Sequence, residues 1–124
     1  MSNRKHLAIL CKGPEAWAEW RRDNPSIRPD LRFVDFNNRD KLPKIDFTGV
    51  DLSTAMLAGI HYKEGAFHKT NLRKADFREA NVVDTWFVEA DLRDALLTDA
   101  TLVMSNFTRC DARGANVVSH KFVE

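Results

Sequence analysis

From Phe47 to Phe122 every fifth residue is apolar, sixteen times in succession without an insertion. A repeat of five suits neither a helix, with about 3.6 residues per turn, nor a strand, whose side chains alternate with a period of about 2. It demands a backbone that turns a corner every five residues, which is a solenoid. Reading every twentieth residue makes the columns nearly uniform. They are Phe47, Phe67, Phe87, Phe107; Leu52, Leu72, Leu92, Ala112; Leu57, Phe77, Leu97, Val117; and Tyr62, Val82, Leu102, Phe122. Four pentads then make one square coil, and like side chains stack from coil to coil.

The position two before each centre is mostly small. Ala55, Ala75, Ala95 and Ala115 form one such column, and Thr70, Ala90 and Cys110 follow Val50 in another. Small residues there let four walls close on a narrow interior. The centre residues fill it at a packing density of about 0.75, that of an organic crystal.

The position before the centre is often Asp or Asn, as at Asp46, Asp51, Asn71, Asp76, Asn81, Asp91, Asn106, Asp111 and Asn116. Met56, His61, Ala66, Trp86, Leu96, Thr101 and Lys121 depart from it. Ala75-Asp76-Phe77-Arg78-Glu79 and Ala90-Asp91-Leu92-Arg93-Asp94 resemble the A(D/N)LXX motif of pentapeptide-repeat proteins, over residues 45–124. The resemblance implies an all-β solenoid, a right-handed quadrilateral β-helix with short bridges on each face.

Upstream, Leu31 and Phe36 keep the five-residue spacing but Leu42 comes six later. One extra residue near Asn38-Arg39-Asp40 accounts for this, so residues 29–44 read as an irregular first coil. Residues 1–28 follow a different pattern. Gly13-Pro14 suits the end of one helix and the start of another. Pro14–Asp23 places Ala16, Trp17 and Trp20 on one face, and Asn24-Pro25 stops it. A shorter helix is expected over residues 3–12. The segment Ala16-Trp17-Ala18-Glu19-Trp20-Arg21 is similar to the helical lead-in of bacterial pentapeptide-repeat proteins. Two units follow: a helical cap at 1–28 and a β-helix at 29–124, with Trp17 and Trp20 covering the open end of the first coil.

Composition narrows the function. The net charge is +1, split as ten Lys/Arg against six Asp/Glu in residues 1–44 and nine against twelve in residues 45–124. No Lys/Arg cluster is interleaved with exposed aromatics, so nucleic-acid binding is not expected. No stretch approaches the roughly 20 apolar residues of a membrane span. The apolar run at 7–11 is too short for a signal peptide, and a cytoplasmic protein is expected. Cys110 reads as a buried thiol at a small interior position. His6, His61, His68 and His120 have no metal-binding spacing. Residues 45–124 have no interrupted pentad, hence no loops over which a nucleophile and base could converge. Neither catalysis nor a cofactor or metal is expected.

Two surfaces stand out. Asp51, Asn71, Asp91 and Asp111 stack beside Ser53, Arg73, Arg93 and Arg113 as a self-neutralising ladder. On another edge, Val83, Trp86, Val88, Val103 and Met104 form an apolar patch rimmed by Lys63, Asp84, Glu89 and His68. Exposed patches of this kind mark contact sites; the alternative occupant is the N-terminal helices themselves. The favoured function is a non-catalytic protein–protein interaction module presenting rigid flat faces to a partner. The resemblance also implies a second reading, because some pentapeptide-repeat proteins mimic DNA and bind type II topoisomerases. The weak negative charge of residues 45–124 and the aligned Arg73, Arg93 and Arg113 count against it. A structural or assembly role is the third. Finally, Phe107, Cys110, Val117 and Phe122 are expected to form a bare end that pairs two copies into a homodimer, as the resemblance to dimeric members suggests. The competing expectation is a monomer with Phe122 and Val123 folded over that end.

Overall fold

The computed structural model describes residues 3–37, 44–116 and 121–123, the last three for their backbone alone. Two helices precede the solenoid: α1, Arg4–Cys11, and α2, Pro14–Asp23. Asn3 caps α1 by accepting from the backbone N–H of Lys5 at 2.9 Å and of His6 at 3.3 Å, satisfying donors that a helix start leaves open. Gly13, at φ 109°, makes the turn between the helices, and Pro14 opens α2. The helix bounds match the sequence reading, with α1 one residue shorter at each end.

Beyond the helices, the chain climbs by twenty residues per coil through parallel bridges on four faces. One face carries strands β1 (His61–Lys63), β2 (Asn81–Val83), β3 (Thr101–Val103) and β4 (Lys121–Val123), paired in that order and in register. The other faces are single-residue bridges, such as Asp51↔Asn71↔Asp91↔Asp111 and Ala66↔Trp86↔Asn106. The first coil is offset by one: Asp35 pairs with Met56, whereas Asp46 pairs with Ala66. One extra residue therefore lies between Phe36 and Ile45, as the six-residue step to Leu42 predicts. The proposed bulge at residues 38–40 and Leu42 itself lie outside the described residues.

Each coil is closed locally and joined vertically. Within a corner, Ala75 N–H donates to Leu72 C=O at 3.0 Å; between coils, Leu72 N–H donates to Asp91 C=O at 2.8 Å. Every non-glycine corner from Thr54 to Arg109, two residues after its centre, has φ between 51° and 62°. That left-handed conformation costs an L-residue roughly 1–2 kcal/mol, a cost offset by closing the coil around its core.

The preference for Asp or Asn before the centre has a direct cause. Its side-chain oxygen accepts the N–H two residues on, as from Asp46 to Thr48, Asp51 to Ser53 and Asn71 to Arg73. This satisfies a corner amide that no ladder reaches. Where that second residue is Arg, its guanidinium also grips the carboxylate, as in Arg78–Asp76, Arg93–Asp91 and Arg113–Asp111, each at 2.7 Å. Arg93 additionally reaches Asp111 of the next coil at 3.8 Å. The expected ladder is thus neutralised at Asp91 and Asp111, whereas Asp51 accepts the Ser53 N–H and Asn71 carries no charge.

Inside, the centres from Phe47 to Leu102 are buried. The phenylalanine column stacks at 5.4 Å (Phe47–Phe67), 5.0 Å (Phe67–Phe87) and 4.8 Å (Phe87–Phe107), which is close to the spacing of neighbouring strands. One expectation needs correcting at the far end: Cys110 is half-buried rather than buried, because the last described coil has its neighbour on one side only. Ala112 there is exposed. Phe107 is half-buried for the same reason. The side chains of Val117 and Phe122 lie outside the described residues.

The helices close the first coil by imitating a strand. Asp46 and Thr48 present carbonyls that a preceding coil would have engaged. Trp17 Nε1–H donates to Asp46 C=O at 2.9 Å, and Arg21 donates to Thr48 C=O at 2.6 Å. On another face, Asn3 N–H donates to Asp30 C=O and Asp30 N–H donates to His6 Nδ1, at 3.0 and 2.9 Å. Trp17 is buried, with Trp20 stacked 5.9 Å away. Burial draws the Arg21 guanidinium below its ordinary pKa, against the pull of Asp46.

Candidate functional site

The site lies on the corner between the β1–β4 face and the face of Ala66, Trp86 and Asn106. Corner residues Lys44, Glu64, Asp84 and Met104 follow one another at twenty-residue intervals, so they rise along one edge. Trp86 projects beside this column from the position that carries Asp46 two coils earlier. It is 50% exposed and Met104 is 61% exposed. The His68 ring stacks on the indole at 5.9 Å, inclined by 27°, and so props it from the coil below.

Trp86 separates two hollows. One, of about 820 Å³, is lined by Lys44, Glu64, Asp84, Thr85, Trp86, Met104, Ser105, Asn106, Phe107 and Thr108. The other, of about 380 Å³, is lined by Lys44, Ile45, Asp46, Glu64, Gly65, Ala66 and Trp86. Trp86 and Met104 of the predicted patch and Asp84 of its rim are therefore brought together. Val83, Val88 and Val103 are half-buried and lie outside these linings. Sequence reading missed Glu64 and Lys44. The same corner column that supplied Met104 contains both, so following it downward would have found them. Glu64 and Lys44 form an ion pair at 3.8 Å. Rim residue Glu89 is engaged by Lys69 at 3.8 Å and Arg109 at 3.5 Å. The helices sit at Asp30, Asp46 and Thr48, and they leave Trp86 half-exposed.

The floor of this corner depends on Tyr62, a feature that sequence reading treated only as a core centre. In the next two coils the ladder closes directly, with Trp86 N–H donating to Gly65 C=O at 3.1 Å and Asn106 N–H to Thr85 C=O at 3.0 Å. Beneath them the Tyr62 hydroxyl is inserted. It accepts from Ala66 N–H at 3.1 Å and donates to Ile45 C=O. Gly65 makes room: a Cβ there would sit 1.9 Å from the phenol ring. Burial pushes the Tyr62 phenol well above its ordinary pKa, so the hydroxyl keeps its donor proton. The equivalent positions to Gly65 are Thr85 and Ser105, whose hydroxyls donate to Val83 and Val103 carbonyls.

The groups lining the two hollows include an indole, a thioether, three carboxylates, an ammonium, the Asn106 amide and the hydroxyls of Thr85, Ser105 and Thr108. Among the described residues no group of three or more His, Cys, Asp or Glu is placed to hold a metal ion. Cys110 stands apart, its thiol pushed up to about 11 by burial and by Asp111 and Asp91. Among the described residues no helix is long and apolar enough to cross a membrane.

The family model for pentapeptide repeats (8 copies) matches residues 66–94 and 90–124. Among solved structures, the chain is similar to a pentapeptide-repeat protein of the thylakoid lumen of Arabidopsis thaliana. The TM-score is 0.70 at 26% identity, over 74% of this chain and 63% of that one. It also aligns with a pentapeptide-repeat protein, Rfr23, of the cyanobacterium Cyanothece 51142, with TM-score 0.46 and 20% identity over 79% and 66% of the two chains. A further alignment is with HetL, a pentapeptide-repeat protein involved in heterocyst differentiation regulation in Nostoc sp. strain PCC 7120. There the TM-score is 0.46 and the identity 19%, over 73% and 44%. The chain thus spans less than two thirds of the length of each of these structures. No curated protein sequence matches it. The Asx-braced corners, the twenty-residue coils and the matched family model together identify residues 66–124 as an array of pentapeptide repeats.

Proposed function

We propose that the chain is a non-catalytic protein-binding module, a right-handed four-sided solenoid that docks a partner protein along the corner beside Trp86. The observation that carries this reading is the half-exposed indole. Trp86 occupies a position where Asp or Asn would brace the corner, so it forgoes the amide acceptor present at Asp76 and Asp91. A large aromatic retained on the surface at that cost suits a contact residue. The scaffold is rigid, which leaves little entropy to lose on binding. The DNA-mimic alternative requires a rod of dense negative charge, whereas Asp76, Asp91 and Asp111 are each neutralised by an adjacent Arg.

The test is Trp86→Asp, which restores the brace while removing the ring. Wild-type protein immobilised on beads is compared with Trp86→Asp in capture from a lysate of the source cell. A protein retained by the wild type and lost from the equally folded variant supports the reading. Identical retention by both refutes it.

A further inference from the structure

We propose that the occupant of the corner groove is a partner-protein segment bearing arginine or lysine next to a large apolar side chain; this rests on the reading of that groove as a docking surface. The two hollows flanking Trp86 are lined by three carboxylates, Asp46, Glu64 and Asp84, and by a single cation, Lys44. Lys44 is already committed to Glu64. Among the described residues no cation pairs with Asp84, which is half-buried beside the exposed ring. This distinguishes it from Asp30, Asp76, Asp91 and Asp111, each of which has its own Arg. The edge therefore presents uncompensated negative charge against an aromatic surface.

A guanidinium or ammonium answers both features. It can lie over an indole face through the ring's quadrupole and reach a carboxylate at the same time. His68 covers one face of Trp86, and the half-exposed ring leaves the other available. Arginine suits this better than lysine, because its planar fork stacks and binds a carboxylate bidentately. Met104 and the half-buried Phe107 supply the apolar neighbour, methionine being adaptable in shape. An acidic segment or a phosphate backbone would face three carboxylates and be repelled.

Random heptapeptides displayed on phage are selected on the full-length wild-type protein and counter-screened on Trp86→Asp. Enriched peptides are synthesised and titrated against wild type, Asp84→Asn, Asp84→Glu and Glu64→Gln. Asn tolerates the left-handed corner conformation of Asp84, so loss of charge is separated from loss of fold. The expected result is enrichment of Arg- or Lys-bearing peptides with an apolar neighbour. Their affinity should fall about tenfold in Asp84→Asn, return in Asp84→Glu, and weaken with added salt. Trp86-dependent peptides that are neutral or acidic, and bind Asp84→Asn as well as wild type, overturn this proposal and leave the docking reading standing. Failure to enrich any Trp86-dependent peptide overturns both. A wild-type protein that dimerises only while Trp86 is present places a second copy in the groove and also overturns it.

Discussion

Tyr62 and Gly65 can be exchanged for the residues that their own fold uses one coil higher, Val82 and Thr85. The separate and joint substitutions give opposite expectations. Gly65→Thr alone drives a Cβ to 1.9 Å from the Tyr62 ring; overpacking of this kind costs about 3 kcal/mol. Tyr62→Val alone empties most of a fully buried ring site and removes the hydroxyl between Ala66 N–H and Ile45 C=O. Cavity and orphaned polar groups together cost about 4 kcal/mol. Independent effects would sum to about 7 kcal/mol. In the double variant, however, the introduced threonine side chain fills the space that the ring vacates. The adjoining Ala66 N–H can then close on Ile45 C=O as Trp86 N–H does on Gly65 C=O. The double variant should therefore be more stable than the sum predicts by about 2–3 kcal/mol, the upper range of coupling between touching residues. Urea unfolding of all four proteins, followed by far-UV circular dichroism with the slope checked for constancy, measures this. Additivity to within about 0.5 kcal/mol would mean that the tyrosine rung is not a structural unit.

Four further outcomes follow from the same geometry. Thr54 is β-branched at φ 59°, so Thr54→Asn should raise the urea midpoint, by about 0.5–1 kcal/mol in stability; an unchanged or lower midpoint refutes the corner assignment. The Asp30, Asp76 and Asp91 carboxyls are held below their ordinary range, chiefly by side-chain hydrogen bonds from Arg32, Arg78 and Arg93. Their contribution is present above the unfolded carboxylate value of about 3.9 and fades as pH falls through the folded values. Asp76→Asn should accordingly flatten the acid limb of a stability–pH curve, and an unchanged limb refutes it. Cys110, raised to about 11, should alkylate with iodoacetamide far more slowly at pH 8 than exposed Cys11, as peptide mass spectrometry reads, because the thiolate is the nucleophile; equal rates refute it. Pairing of two copies through the end that carries Phe107 and Cys110 remains our proposal, and it requires a sedimenting mass twice 14.2 kDa, with a single-chain mass at every concentration excluding it.

The five-residue period, the uniform columns from Phe47 to Leu102 and the one-residue slip after Phe36 determine the coil by themselves. Each requires only that apolar side chains share one interior and that corners recur at fixed chain length. The Gly13-Pro14 break and the Trp-bearing face of α2 likewise announce the cap, because local backbone preferences set helix ends. The sequence also marks Trp86 as out of place, since Asp or Asn stands before most centres, including Asp46 and Asn106 of the same column. Tertiary structure decided the rest. Trp17 and Arg21 donate to carbonyls of Asp46 and Thr48, an exchange of side-chain for backbone donors that no periodicity encodes. The Tyr62 hydroxyl becomes a ladder rung because Gly65 leaves space across the corner, a relation between two residues that only the closed coil brings into contact. Val83, Val88 and Val103 share the patch's composition but not its groove, because side-chain direction at a corner depends on the left-handed turn beside it. Lys44, Glu64 and Asp84 line hollows beside the indole because successive coils stack their corners into one edge.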